Sequence, residues 1–311
     1  MLKGLIDLNL PYKWIATGSS QLEIKSKISE HLTGRAIESL VLPLSINELP
    51  FDSDVEERLI YGSYPKIISS KNKVILLEQL YRQYIEKDII KILKLNKPEI
   101  IEKLMTLVSH SSAQLVNYQK FAIDCQVSVH TVQSHLQKLE QTYIISKITP
   151  FVGNKRTEIT SNPKYYFVDN GFKNQAIRNF NPLHLRSDAG SLVENFIYQE
   201  IVKFKHQNFY NFDIHFWRTK TKAEVDFVLY KNKDYFIPIE SKYETFKQPT
   251  ITRSYRSFLE AYQSKYGIII TKNYLATEKF ENTTVHFIPL EKLEMVFPVL
   301  EKHLSLTKQH C

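Results

Sequence analysis

The stretch that decides the fold reads Ala223-Glu-Val-Asp-Phe-Val-Leu-Tyr230 and continues as Tyr235-Phe-Ile-Pro-Ile-Glu-Ser-Lys242. Both runs are rich in β-branched and aromatic residues, and the polar turn Lys231–Asp234 between them predicts two antiparallel strands. Successive side chains of a strand point to opposite faces, so Glu224 shares a face with Asp226, and Glu240 with Lys242. Paired strands would bring Asp226, Glu240 and Lys242 together near the strand ends. Two adjacent carboxylates repel each other unless a cation lies between them, and Mg²⁺, a hard ion that takes one or two carboxylates, would meet that need. Lys242 would then stand beside the ion, placed to orient an attacking water. Pro238 resists the pattern because it lacks a ladder donor, so a bulge or an N–H position facing no neighbour must accommodate it.

The flanks extend the pattern. Gly190–Lys205 carries Leu192, Val193, Phe196, Ile197, Ile201 and Phe204 at helical spacing, together with Glu194. Downstream lie a helix over Thr252–Ser264, strands at Tyr266–Thr271 and Val285–Ile288, and a terminal helix with Leu293, Val296, Phe297 and Leu300. This order, with Glu194 on the first helix, Asp226 on one strand and Glu240-Ser241-Lys242 on the next, resembles the PD-(D/E)XK nuclease-like superfamily. The resemblance implies that Asp226, Glu240 and the Ser241 carbonyl bind Mg²⁺ and that Glu194 supports the ion directly or through water. Lys242 would orient the attacking water or help deprotonate it. Taken singly, each of these charges reads first as an ordinary residue on an exposed sheet face, and only the four in one order carry the resemblance. Two functions therefore stand side by side. One is metal-dependent cleavage of nucleic acid, and the other a non-enzymatic nucleic-acid or protein interaction module with a decayed site.

Length and composition bound the rest. A chain of 311 residues is long enough for two or three domains, and 43% hydrophobic residues with 8 Gly and 12 Pro is a globular composition. The two cysteines, Cys125 and Cys311, supply neither a disulfide framework nor a Cys-rich zinc site. No apolar run approaches the ~20 residues of a membrane span, and Asp7 interrupts the start before a signal-peptide core forms. A cytoplasmic location without a membrane partner is the expectation. A net charge of +8 and a pI near 9.1 favour a polyanionic partner such as DNA. The excess is concentrated, with thirteen Lys/Arg against seven Asp/Glu between positions 201 and 272, including Arg218, Lys220 and Lys222 just before the acidic strand.

Towards the N-terminus, Tyr12–Ile15 reads as a short strand, with a helix expected to follow before Ala36–Leu49. Val55–Leu95 reads as helices, with an apolar stripe through Leu76, Leu77, Leu80, Tyr84, Ile85 and Ile89. Pro98 opens the next unit, as suits a first helical turn. One helix there carries Ile100, Ile101, Leu104, Leu107 and Val108, and a second covers Tyr118–Cys125. A third, capped by Ser128, carries Val129, Val132, Leu136 and Leu139. Strands at Tyr143–Phe151 and Lys164–Val168, joined through Gly153-Asn-Lys-Arg156, complete a winged-helix pattern. Gln133 on the outward helix face suits base edges, and Lys155 and Arg156 suit phosphates; the alternative is a winged helix used only for packing. His110, His130 and His135 lack the carboxylate or Cys neighbours of a metal site.

A second resemblance spans nearly the whole chain. It rests on Thr17-Gly-Ser-Ser20, Leu32-Thr-Gly-Arg35, the Pro43-Leu-Ser-x-x-Glu-Leu49 run, Tyr61-Gly-Ser-Tyr-Pro65 and Tyr84-Ile-Glu-Lys-Asp-Ile89. Further on come Pro163-Lys-Tyr-Tyr-Phe-Val-Asp-Asn-Gly171 and Gly190-Ser-Leu-Val-Glu-Asn195. In that order they resemble a family of prokaryotic AAA-type ATPases that end in a PD-(D/E)XK-like domain of unknown function. The resemblance implies a multidomain α/β chain. Residues 1–50 would be a remnant of the ATPase core from the sensor strand onward, 51–97 a helical lid, 98–171 the winged helix and 183–304 an αβββαβ nuclease-like domain. None of the glycines begins the phosphate-cradling G-x-x-x-x-G-K-[ST]. Ser19 or Ser20 would be the sensor, and Arg35 would reach a phosphate, yet this chain supplies no cradle for one. The expectation is an N-terminally truncated relative that binds no ATP by itself and works with a P-loop-containing partner chain.

Overall fold

The computed structural model describes residues 7, 11–18, 37–50, 54–85, 89, 98–151 and 162–305. Ser19, Ser20, Arg35, Lys155 and Arg156 lie outside the described residues. Mixed α/β architecture follows from eight strands: β1 (Ile145–Pro150), β2 (Lys164–Phe167), β3 (Asp213–Arg218), β4 (Glu224–Asn232), β5 (Tyr235–Lys242), β6 (Tyr266–Thr271), β7 (Ala276–Phe280) and β8 (Thr283–Pro289). They form one sheet in the order β2-β1-β3-β4-β5-β6-β8-β7. β3, β4 and β5 make an antiparallel meander, β6 and β8 continue it in parallel, and β7 closes the edge antiparallel to β8. At the other end β1 pairs antiparallel with β2 and meets β3 in parallel through Thr149↔His215 and Pro150↔Phe216. One sheet thus joins strands from both sides of the boundary expected between residues 171 and 183.

The N-terminal helices are α1 (Val55–Tyr61), α2 (Pro65–Ile68) and α3 (Lys73–Gln83). They are followed by α4 (Pro98–His110), α5 (Tyr118–Cys125) and α6 (Val129–Gln141). Local chemistry sets their ends. Asn117 accepts the Lys120 N–H at 3.0 Å to start α5, and Ser128 accepts the Thr131 N–H at 3.1 Å to start α6. Gln126, with φ 55°, ends α5 in a left-handed turn. Val132, Leu136 and Leu139 of α6 are buried against α4 and α5, which leaves Gln133 exposed.

Three further helices build the second half: α7 (Asn170–Ala176), α8 (Ala189–Gln207) and α9 (Arg253–Tyr262), with α10 (Val296–His303) at the end. α8 covers one sheet face, Phe196, Ile197 and Ile201 packing with Phe227, Leu229, Ile237 and Ile239. α9 covers the other, Tyr255, Phe258 and Leu259 packing with Val225, Val228, Ile269 and Phe287. Val225 and Val228 share a face because β4 bulges there. Its register to β3 passes from Trp217↔Val225 to His215↔Val228, so Asp226 is the extra residue. Pro238 is accommodated without a bulge of its own. Its register partner is Val228, the pairing with β6 begins only at Ile239, and its carbonyl accepts the Tyr255 hydroxyl at 2.8 Å. In an extended strand a residue's N–H and C=O point to the same side. The donor that Pro238 lacks would therefore have pointed away from β4, and the ladder to β6 starts one residue later.

Tyr12–Ile15 is not a strand. The segment is exposed and enters no ladder among the described residues. The helix expected before Ala36 lies outside the described residues, and in the run that follows a 3₁₀ turn at Ile46–Glu48 comes after Pro43. β7 was not anticipated because Ala276–Phe280 is polar and mostly exposed, an edge strand without an apolar run. Among the described residues no helix is long and apolar enough to cross a membrane.

α8 also carries a buried polar stripe. Asn195 bonds both the N–H and the C=O of Phe167, at 2.8 and 3.1 Å. Glu200 takes the Ile46 N–H at 2.8 Å, Arg58 at 3.0 Å and Lys203 at 2.8 Å. Replacing Glu200 by Ala would leave two buried cations without their carboxylate, a change expected to cost about 3–5 kcal/mol. Chemical denaturation is the check. The midpoint should fall strongly for Glu200→Ala, and an unchanged midpoint would refute the role given to this cluster.

Candidate functional site

Four elements converge at the C-terminal end of β5. The bulge frees Asp226 from strict alternation, and its Oδ2 turns across to the Ser241 N–H at 2.7 Å. Ser241 therefore meets Asp226 through its amide. Glu240 lies on the α9 face, where Thr252, the N-cap of α9, donates its hydroxyl to both carboxylate oxygens at 3.1 Å. The same hydroxyl oxygen accepts the Tyr255 N–H at 3.2 Å, so the helix start and the carboxylate are fixed by one side chain. Lys242, two residues on and on the same face, holds Glu240 at 3.1 Å with its ammonium partly exposed. Glu194 approaches from α8 on the opposite face and accepts the Tyr166 hydroxyl at 2.6 Å. Asp226 stands between the two faces, its charge acting on both Glu194 and Glu240.

Electrostatics sets the character of the site. Burial, and then the charge of Asp226, push the Glu240 carboxyl up to about 7. Glu194 is raised by the same two causes, and Asp226 is raised chiefly by burial. Burial pulls the Lys242 ammonium down, but Glu240 and Asp226 outweigh it and raise the group overall. The three carboxyls owe their elevated proton affinity first to burial, and Glu194 and Glu240 also to the neighbouring charge of Asp226.

Sequence reasoning missed two contributors to this charge balance. Lys164, at the start of β2, is fully buried, with its Nζ 2.5 Å from Glu224 and 3.3 Å from Glu194. Glu224 in turn pairs with Arg218 at 2.5 Å. A lysine heading the otherwise apolar run Lys164-Tyr-Tyr-Phe was the available signal, since an ammonium buried at such a place needs carboxylate partners. Of the basic residues expected to meet nucleic acid, Arg218 is thus engaged with Glu224. Lys220 and Lys222 are exposed in the β3–β4 turn, and Gln133 is exposed on α6.

As a metal centre the site is sparse. Among the described residues no group of three or more His, Cys, Asp or Glu side chains forms a ready cage. The donors still suit a hard divalent ion in kind: Asp226 and Glu240 offer buried carboxylate oxygens at adjacent strand ends. A cleft between α6 and α8, lined by Gln137, Glu140, Tyr198, Lys203 and His206, contains none of these residues.

Comparison with known proteins divides the chain in three. Residues 1–50 match an AAA domain, 52–183 a domain of unknown function (DUF8612), and 189–293 another domain of unknown function (DUF4143). These matches are consistent with an AAA-type ATPase-related protein. An uncharacterised protein of Haemophilus influenzae is 22% identical over 292 residues, covering 88% of this chain and 69% of its own length. One from Mycobacterium tuberculosis is 22% identical over 267 residues, with 83% and 58% covered. One from Methanocaldococcus jannaschii is 24% identical over 302 residues, with 86% and 64% covered. The chain therefore spans between 58% and 69% of the length of these relatives.

The raised Glu240 carboxyl has a consequence for stability. Between the ordinary value of 4.5 and the folded value near 7, the folded chain keeps a proton that the unfolded chain has released. The contribution of this group to stability is then fully present below about 4.5 and is lost as pH rises through 7. Thermal melting in chelator should show this decline, and Glu240→Gln should flatten it relative to wild type. Parallel profiles for the two proteins would contradict the assignment.

Proposed function

We propose that residues 183–304 form a PD-(D/E)XK-like module whose Asp226, Glu240 and Lys242 hold a divalent cation and act on the phosphodiester backbone of DNA. The module would be carried by an AAA-type ATPase-related chain. The observation that supports this reading best is the meeting of those three side chains at the ends of β4 and β5, with the elevated proton affinity of Glu240. Asp226 and Glu240 would hold the ion, with the Ser241 carbonyl as a further oxygen and Glu194 behind them. A bound Mg²⁺ would lower the pKa of its water and offset the charge that builds on the phosphate. Lys242, the ammonium of the set that reaches solvent, would hold the attacking water by hydrogen bond and take part in moving its proton. Lys220 and Lys222, exposed in the adjoining turn, would draw the backbone toward the strand ends. The helices α4–α6 with the β1–β2 pair read as a winged helix, in which Gln133, Lys155 and Arg156 would make the remaining contacts. The exposed place of Gln133 on α6 agrees with that role.

A second reading, a decayed site used only for interaction, is favoured by one observation. Lys164 and Lys242 already neutralise part of the carboxylate cluster without any ion. Two variants separate the readings. In the active case Asp226→Ala abolishes Mg²⁺- or Mn²⁺-dependent cleavage, because half of the ligand pair is gone. Lys242→Ala slows cleavage by about 10²–10⁴-fold, the usual worth of a positioned proton-transfer group, while metal affinity holds or rises slightly. Cleavage that survives Asp226→Ala would overturn the assignment, and a folded wild type inert on DNA and RNA with either ion would select the interaction module.

A further inference from the structure

Lys164 belongs to β2, within the stretch that matches one domain of unknown function, yet its ammonium lies among acids of the other. The side chain has no exposure, and it reaches Glu224 at 2.5 Å and Glu194 at 3.3 Å. The ring of Phe216 lies 5.3 Å from the ammonium, and Tyr166, two residues along the same strand, donates to the same Glu194 oxygen that Lys164 contacts. Glu194 and Glu224 are thus bridged by a covalently tethered cation that cannot diffuse away. Of the other two acids, Glu240 is held by Lys242 at 3.1 Å through a partly exposed side chain, while Asp226 feels both ammonium groups, Lys164 the more strongly. The site has two halves, one closed by a buried lysine and one open.

Resting on the reading of Asp226 and Glu240 as a divalent-cation site, we infer that Lys164 is a positioning residue that substitutes for a cation in the Glu194–Glu224 half. Its fixed positive charge weakens divalent binding at the neighbouring half and confines it there. The same contact makes the site a product of both matched regions, because β2 supplies the cation and α8 and β4 supply the acids. A divalent ion carries two charges against the single charge of the lysine, so removal of the ammonium deepens the negative potential more for metal than for protons.

The test is a Mn²⁺ titration by calorimetry on the full chain at pH 8 with wild type, Lys164→Met, Lys164→Gln and Lys164→Arg, each shown to be folded by circular dichroism. Lys164→Met matches the stem in length, and Lys164→Gln keeps an N–H donor for the carboxylates should the methionine variant not fold. Both uncharged variants should bind Mn²⁺ at least about tenfold tighter than wild type, and Lys164→Arg should return to the wild-type value. Binding by the uncharged variants where wild type shows none would support the inference equally. Wild-type binding that is unchanged or weaker in the uncharged variants would overturn it and leave the Asp226–Glu240 reading intact. An absence of binding in every protein, all folded, would remove both.

Discussion

Everything in this chain is arranged around the burial of a helix that is polar along part of its length. α8 packs Phe196, Ile197 and Ile201 onto the sheet, yet Asn195, Gln199, Glu200 and Lys203 are buried as well. Each buried polar group must find a partner, and those partners come from sequence-distant segments. Asn195 and Gln199 bind Phe167 and Asn170, which fixes the end of β2 and the start of α7. Glu200 and Lys203 bind Ile46, Arg58 and Leu44, which fixes the N-terminal segment. Glu194 sits one residue before this stripe. The same constraint that closes the fold therefore sets the position of one acid of the candidate site.

That connection explains how a helical N-terminal half and a sheet-rich C-terminal half share one sheet. β1 meets β3 over only two residue pairs, a short seam. The fully buried bridge of Lys164 to Glu194 and Glu224, and the Asn195 bonds to Phe167, reinforce it from the side. Glycine is required at one point of this framework. Gly62 has φ 80°, and a Cβ there would lie 1.9 Å from Asp169 Oδ1, whose partner oxygen accepts the Ser63 N–H at 2.7 Å. The Tyr61-Gly-Ser-Tyr-Pro65 turn is thus a backbone requirement imposed by a buried aspartate.

Much of the architecture was legible because local rules and packing agree. Runs of β-branched and aromatic residues placed β5 and β6, and helical spacing placed α8, while Ser128 marked the start of α6. The approach of Asp226 to Glu240 and Lys242 was legible from strand pairing, but its route was not. The bulge at Asp226 breaks the alternation from which it had been derived, and register shifts leave no local mark in sequence. The run headed by Lys164 signals a buried ammonium in need of carboxylates but not that Glu194 and Glu224 are its partners, because an ion pair between distant segments has no periodicity to betray it. The N-terminal strand expected at Tyr12–Ile15 failed for the converse reason, since β propensity without a ladder partner forms no strand.

The central claim is that Asp226 and Glu240 together hold one divalent cation. Anomalous diffraction from crystals grown with Mn²⁺ near pH 8 tests it directly, because the ion is located without reference to activity. The account predicts a peak within about 2.0–2.3 Å of a carboxylate oxygen of each residue, with Lys242 displaced from Glu240 and Lys164 still seated between Glu194 and Glu224. A well-ordered site without such a peak, the Glu240–Lys242 pair unbroken, would contradict it.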